Sequence, residues 1–134
     1  LQVDNAIAVS NDTEGSTGRL TRRSARFITA ALSGATVNIA AQIPSGALFL
    51  GAQFCVDTLI TGATSWSAAL NTGSTTSLGT GYGLTQNTKV NKLVVPEVLT
   101  ALTDITLTAA GSNFTAGVIE CVVYYEELTS MANV

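Results

Sequence analysis

The 134-residue chain predicts an all-β fold, an antiparallel β-sandwich or jelly roll with an extended N-terminal arm, on three observations. Seven or eight short segments show the period-2 alternation or the Val/Ile/Tyr enrichment of strands. Gly- and Ser-bearing turns separate them, and no segment keeps a 3.6-residue period. A parallel α/β fold lacks its helices, and no solenoid or propeller period is visible. One domain of this length buries about two thirds of its unfolded surface.

The elements follow in chain order. Residues 1–24 are rich in Asn, Asp, Thr, Ser and Gly and lack sustained periodicity apart from the short apolar run Ala6-Ile7-Ala8-Val9, so they read as an arm. They also lack the basic start and apolar core of a signal peptide. The division is a polar arm over 1–26 and a sandwich domain over 27–134. Strands are expected over 27–32, then, past a Ser33-Gly34 turn, over 36–41. Ile43-Pro44-Ser45-Gly46 turns the chain, with Pro presetting φ. A long strand over 47–60 should bend at Gly51, where a missing side chain marks a bulge or a close backbone approach. A strand over 64–70 leads into a loop over 71–83 with a short strand around 76–78. Further strands are expected over 92–95 and 103–108, separated by a helical turn or loop at 96–102. The strongest strand, over 116–128, is rich in Val, Ile and Tyr.

Charge is scarce and uneven. Charged residues make up 11% of the chain, against roughly a quarter in an ordinary soluble domain. Between Arg26 and Lys89 the only charged side chain is Asp57, while Arg19, Arg22, Arg23 and Arg26 crowd into eight positions. A body this poor in charge suits partial cover by neighbours. Apolar stretches fall well short of the ~18 residues of a membrane helix, so no membrane partner is expected. The net charge of −3 argues against nucleic acid as the main partner.

The catalytic inventory is thin. The chain has no His, which removes the commonest general base, the Ser-His and Cys-His pairs and the usual zinc and iron ligands. Glu120 and Glu126 share a face of the last strand, but a solvated strand end describes them better than a glycosidase pair. Gly79-Thr80-Gly81-Tyr82-Gly83 lacks the flanking strand, helix and Lys of a phosphate loop and reads as a sandwich loop. Asp57 and Asp104 lack the spaced acidic run of a calcium loop. Neither an enzyme, a metal nor a cofactor is expected. Cys55 lies on the face of Gln53 and Asp57, Cys121 on that of Ile119 and Val123, so a disulfide is disfavoured and free thiols fit a reducing compartment of synthesis.

Two features remain as protein-interaction candidates. Arg19, Arg22, Arg23 and Arg26 fall at i, i+3, i+4 and i+7, the spacing of one helix face. They read as a docking face for an acidic protein surface by bidentate pairing, with a plainly solvated face as the alternative and nucleic acid behind both. Trp66, in Ser65-Trp66-Ser67, reads as a core or interface anchor, with a carbohydrate-stacking platform as its alternative.

The order of motifs carries a resemblance. After the arm come Thr36-Val37-Asn38-Ile39-Ala40, Ile43-Pro44-Ser45-Gly46-Ala47 and a Thr/Ser-rich hairpin leading to Leu78-Gly79-Thr80-Gly81. Ile105-Thr106-Leu107-Thr108 then precedes the run from Thr115 to Tyr125. Over about residues 36–125 the chain resembles the small accessory virion proteins of tailed bacteriophages, especially capsid decoration (cement) proteins. The resemblance implies a sandwich made in the host cytoplasm that binds the outside of an icosahedral shell. It further implies the major capsid protein as partner, a homo-oligomer (trimer or dimer), and an arm over neighbouring subunits that helps clamp capsomers against internal DNA pressure. A neck, tail or head-fibre component, or a carbohydrate-binding sandwich module, is the alternative.

Overall fold

The computed structural model describes residues 19–71 and 76–129. The first eighteen residues of the expected arm, and residues 72–75 of the expected loop, lie outside the described residues. Among the described residues there are seven strands: β1 Arg19–Ile28, β2 Thr36–Ile43, β3 Leu48–Thr61, β4 Ser65–Leu70, β5 Lys89–Val98, β6 Thr103–Ala110 and β7 Ala116–Thr129. They form a four-stranded sheet in the order β1-β7-β3-β5 and a three-stranded sheet in the order β2-β6-β4, antiparallel throughout.

The two inner faces meet in one core. Alternation places Phe49, Ala52, Phe54 and Val56 of β3 and Ile119, Cys121 and Val123 of β7 inward, against Trp66, Ala68 and Leu70 of β4 and Ile105 and Leu107 of β6. Phe54 and Trp66 touch edge to face across the sheets, ring centroids 5.6 Å apart. The expected bend falls at Gly51, where the pairing of β3 with both neighbours shifts register. A Cβ on Gly51 would lie 2.4 Å from the Lys92 carbonyl oxygen, so only glycine admits this close approach.

Two sequence expectations are corrected. Arg19–Ile28 is a strand, paired residue by residue with β7 from Arg19↔Thr129 to Ile28↔Glu120. The arm–body boundary drawn after Arg26 therefore falls inside a strand, and the helix-face reading of the four arginines gives way to strand parity. Ala25 and Phe27 pack on the core while Arg22 and Arg26 face out. The second correction is at Pro96, which lies within β5 and not in a helical turn. An edge strand tolerates a residue without an N–H, and Pro96 sits with Val94 and Val95 in a bulge between the pairs Gly51↔Leu93 and Phe49↔Glu97.

The segment from Thr76 to Leu84 lies beyond β4. Trp66 and Tyr82 exchange backbone hydrogen bonds of 3.3 and 3.0 Å, Leu78 N–H donates to Ala68 at 2.8 Å and Leu70 N–H to Thr76 at 2.9 Å. Ile60 N–H of the other sheet donates to Leu84 at 3.0 Å. The strap thus covers the β4 edge and ties the two sheets together.

Candidate interaction surface

The outer face of the four-stranded sheet falls into three zones. On the β1 side, Arg22 Nε donates to Glu126 Oε2 at 2.9 Å, and Arg26 Nε donates to Glu120. On the opposite face of the same strands, Arg23 Nε donates to Glu127 Oε1 at 2.6 Å. Parity explains the split, since Arg22 stands opposite Glu126 whereas Arg23 stands opposite Tyr125. The Arg19 side chain lies outside the described residues; its backbone pairs with Thr129. Arg26 holds the Glu120 carboxyl below its ordinary range, chiefly through their hydrogen bond. The glutamates of β7 thus neutralise Arg22, Arg23 and Arg26 within the chain.

The middle of the face is neutral and polar. Tyr124 Oη donates to Gln53 Oε1 at 2.8 Å, and Gln53 Nε2 donates to Asn91 Oδ1 at 2.6 Å, a chain of side chains across β7, β3 and β5. Beside it, Cys55, Asp57, Lys89 and Glu120 border a shallow open hollow. The two carboxylates flagged by the sequence, Glu120 and Glu126, share this face, each bonded to its own arginine.

The β5 side is apolar. Leu93 is 80% exposed, Val95 87% and Val98 62%, and Leu102 just past the strand is 63% exposed. The bulge carrying Pro96 pushes Val95 outward, while Val94 on the other parity packs toward the core. Among the described residues neither Lys89 nor Lys92 takes part in an ion pair. Sequence reasoning placed a strand here but no function. The available signal was a short run with Leu and Val on both parities and a proline inside it, the composition of an edge that is covered on one side only.

Trp66, read from the sequence as a core or interface anchor, lies in the core. It is fully buried, its Nε1–H donates to the Gly83 carbonyl at 2.8 Å, and it lies between Phe54 and Tyr82, the latter 4.8 Å away by centroid. The glycine run belongs to this same arrangement. Tyr82 Oη donates to Leu78 O at 2.5 Å and occupies the space where a Cβ on Gly79 would stand, at a Gly79 φ of +106°.

The remaining polar groups serve structure. Asp104 accepts from Asn38 Nδ2 at 3.1 Å and from the Gln42 N–H at 2.8 Å, across the irregularity in the β2–β6 ladder. Asp57 lies in the other sheet, and among the described residues no group of three His, Cys, Asp or Glu side chains is placed to hold a metal. Cys55 and Cys121 are both free thiols, on opposite faces of neighbouring strands. Burial pushes the Cys121 thiol up to about 12. No helix is long and apolar enough to cross a membrane among the described residues.

No protein-family model matches the chain, and none of the curated proteins matches it. Among solved structures it is similar to a chain of the cyanophage Pam1 capsid asymmetric unit, at 18% identity and TM-score 0.45 over 92% of this chain and 94% of that one. It is similar also to a chain of the Bacillus endospore appendages, disulfide-linked pili, at 10% identity and TM-score 0.48 over 93% and 100%. A third is a chain of the acid-stable capsid of Helicobacter pylori bacteriophage KHP30, at 12% identity and TM-score 0.45 over 85% and 99%.

Proposed function

We propose that this chain is a non-enzymatic structural protein of a virion, one that binds the outer capsid surface and stabilises the shell by bridging neighbouring capsid subunits. The observation that carries the reading is the outer face: neutralised arginines on one side, a neutral hydrogen-bonded centre, and an apolar stripe at Leu93, Val95 and Val98. Such a face is adapted to contact with protein. The resemblance in strand and turn order to decoration proteins supplies the partner, the major capsid protein.

Binding is then interfacial. Each copy contributes modest affinity, and many copies on one lattice hold each other's contacts in place. Arg22, Arg23 and Arg26 would meet an acidic capsid surface only by sharing guanidinium groups that β7 already engages. The apolar stripe is therefore the stronger candidate for contact. The carbohydrate-module alternative loses its platform with the burial of Trp66.

The purified protein, added to undecorated capsids, should bind in fixed proportion to capsomers and raise the temperature at which the shells rupture. Failure to bind any capsid state would overturn the proposal. Localisation on intact particles by electron microscopy separates a shell position from a neck, tail or head-fibre one.

A further inference from the structure

We infer that the β5 edge is a self-complementary interface, and that its occupant is β5 of a second copy of this chain, related by a two-fold axis near Val94. The contact needs no capsid, so its test contains none and can fail independently of the proposed function.

The argument starts from the order of residues along β5. Lys89 and Lys92 occupy its first half, Leu93-Val94-Val95 its centre and Glu97 its last half. Run antiparallel to itself, the strand brings its basic half alongside its acidic half, twice by symmetry, while parallel stacking would set like charges together. Parity agrees with the charges. Lys92 pairs with Ala52 and Glu97 with Phe49, both core residues, so Lys92 and Glu97 share one side of β5. Leu93, opposite Gly51, and the strongly exposed Val95 point to the other side. About an axis at Val94, Leu93 of each copy lies against the partner's Val95, and Lys92 comes within side-chain reach of the partner's Glu97, whose carboxylate accepts from the Thr76 hydroxyl of its own chain and keeps further acceptor positions. Charge complementarity and apolar contact therefore coincide in one register.

Among the described residues the β4 edge is covered by the strap, and β1 carries Arg22, Arg23 and Arg26 held in ion pairs with β7, charged side chains that blunt an edge. A pair joined at β5 leaves β1 at both outer ends of the combined sheet, so the assembly closes at two copies. Pro96 and the bulge keep the backbone ladder short, so side chains supply most of the contact.

Sedimentation velocity on the full chain, over a concentration series, should show a reversible monomer–dimer equilibrium. Leu93→Lys and Val95→Lys should each raise the dimer dissociation constant by about tenfold or more, with unchanged circular dichroism. Lys92→Glu alone and Glu97→Lys alone should each weaken the dimer, and the double charge swap should restore it to within about threefold of the parent. A photo-crosslinker at position 95 should capture β5 of the other copy. A strictly monomeric protein, a trimer, a dimer indifferent to Leu93→Lys, a swap without rescue, or crosslinks to residues 1–18 would each overturn the inference.

Discussion

At one edge of the four-stranded sheet three arginines of β1 are tied to three glutamates of β7, and at the other Leu93, Val95 and Val98 of β5 stand in solvent. Both are edge strands of the same sheet, and both face the same risk of pairing with another chain. The first is protected by charge, the second only by a proline and a bulge. The three-stranded sheet uses a third device at β4, a strap anchored by Trp66 and Tyr82. An edge left apolar beside two that are closed marks where association is directed.

The largest test of this contrast is to open the sealed edge. Trp66→Ala should remove about 3–5 kcal/mol of stability, measured by urea denaturation, because the tryptophan is packed from both sheets and from the strap. Gly79→Ala should cost about 1–3 kcal/mol, since a Cβ there displaces the Tyr82 hydroxyl at a backbone angle that alanine rarely adopts. The double variant Leu93→Ser and Val95→Ser should change folding stability by less than about 0.5 kcal/mol while lowering capsid binding or self-association. Equal loss of stability there would show β5 to be a structural edge like β4.

The smallest effect is electrostatic. The Glu120 carboxyl is held below its ordinary range by Arg26, so its contribution is present above the usual carboxylate pKa and fades as pH falls through the lowered value. Amide protection at β1, corrected for the intrinsic pH dependence of exchange, should therefore fall in acid, whereas the leucine and valine part of a β5 contact should persist. An equal loss of protection at both edges would erase the distinction between them.

Much of the sandwich was legible because its strands alternate. Residues 36–41, 47–60, 64–70 and 103–108 carry strand alternation and 116–128 is rich in Val, Ile and Tyr, and strands stand over each of these segments to within a residue at its start. β1 was read as arm because its first eight residues hold four arginines and little apolar surface; it is a strand because it pairs with β7 about a hundred residues away, where three glutamates meet its arginines. Local pattern carries no trace of such a partner. β5 was cut short at Pro96 because sequence does not reveal which strand will be an edge. Trp66 was legible as a core or interface anchor, but the choice between the two was not, since Phe54 and Tyr82 reach it from different parts of the chain. The apolar stripe was missed for a related reason: Leu93 and Val95 are exposed because β5 ends its sheet among the described residues, a position that the strand pattern of 92–95 does not reveal.

The opposed thiols of β3 and β7 also give the molecule a built-in chemical address. Cys121 is sealed in the core with its thiol pushed up to about 12, so at neutral pH it is a protonated and inaccessible spectator. Cys55 reaches the outer face beside the hollow lined by Gln53, Asp57 and Asn91. A maleimide dye added to the native protein should therefore attach at Cys55 alone, leaving Cys121 for the unfolded chain. Without any engineered residue, a fluorophore then sits on the surface proposed for contact, and its quenching or anisotropy reports arrival of a partner in real time.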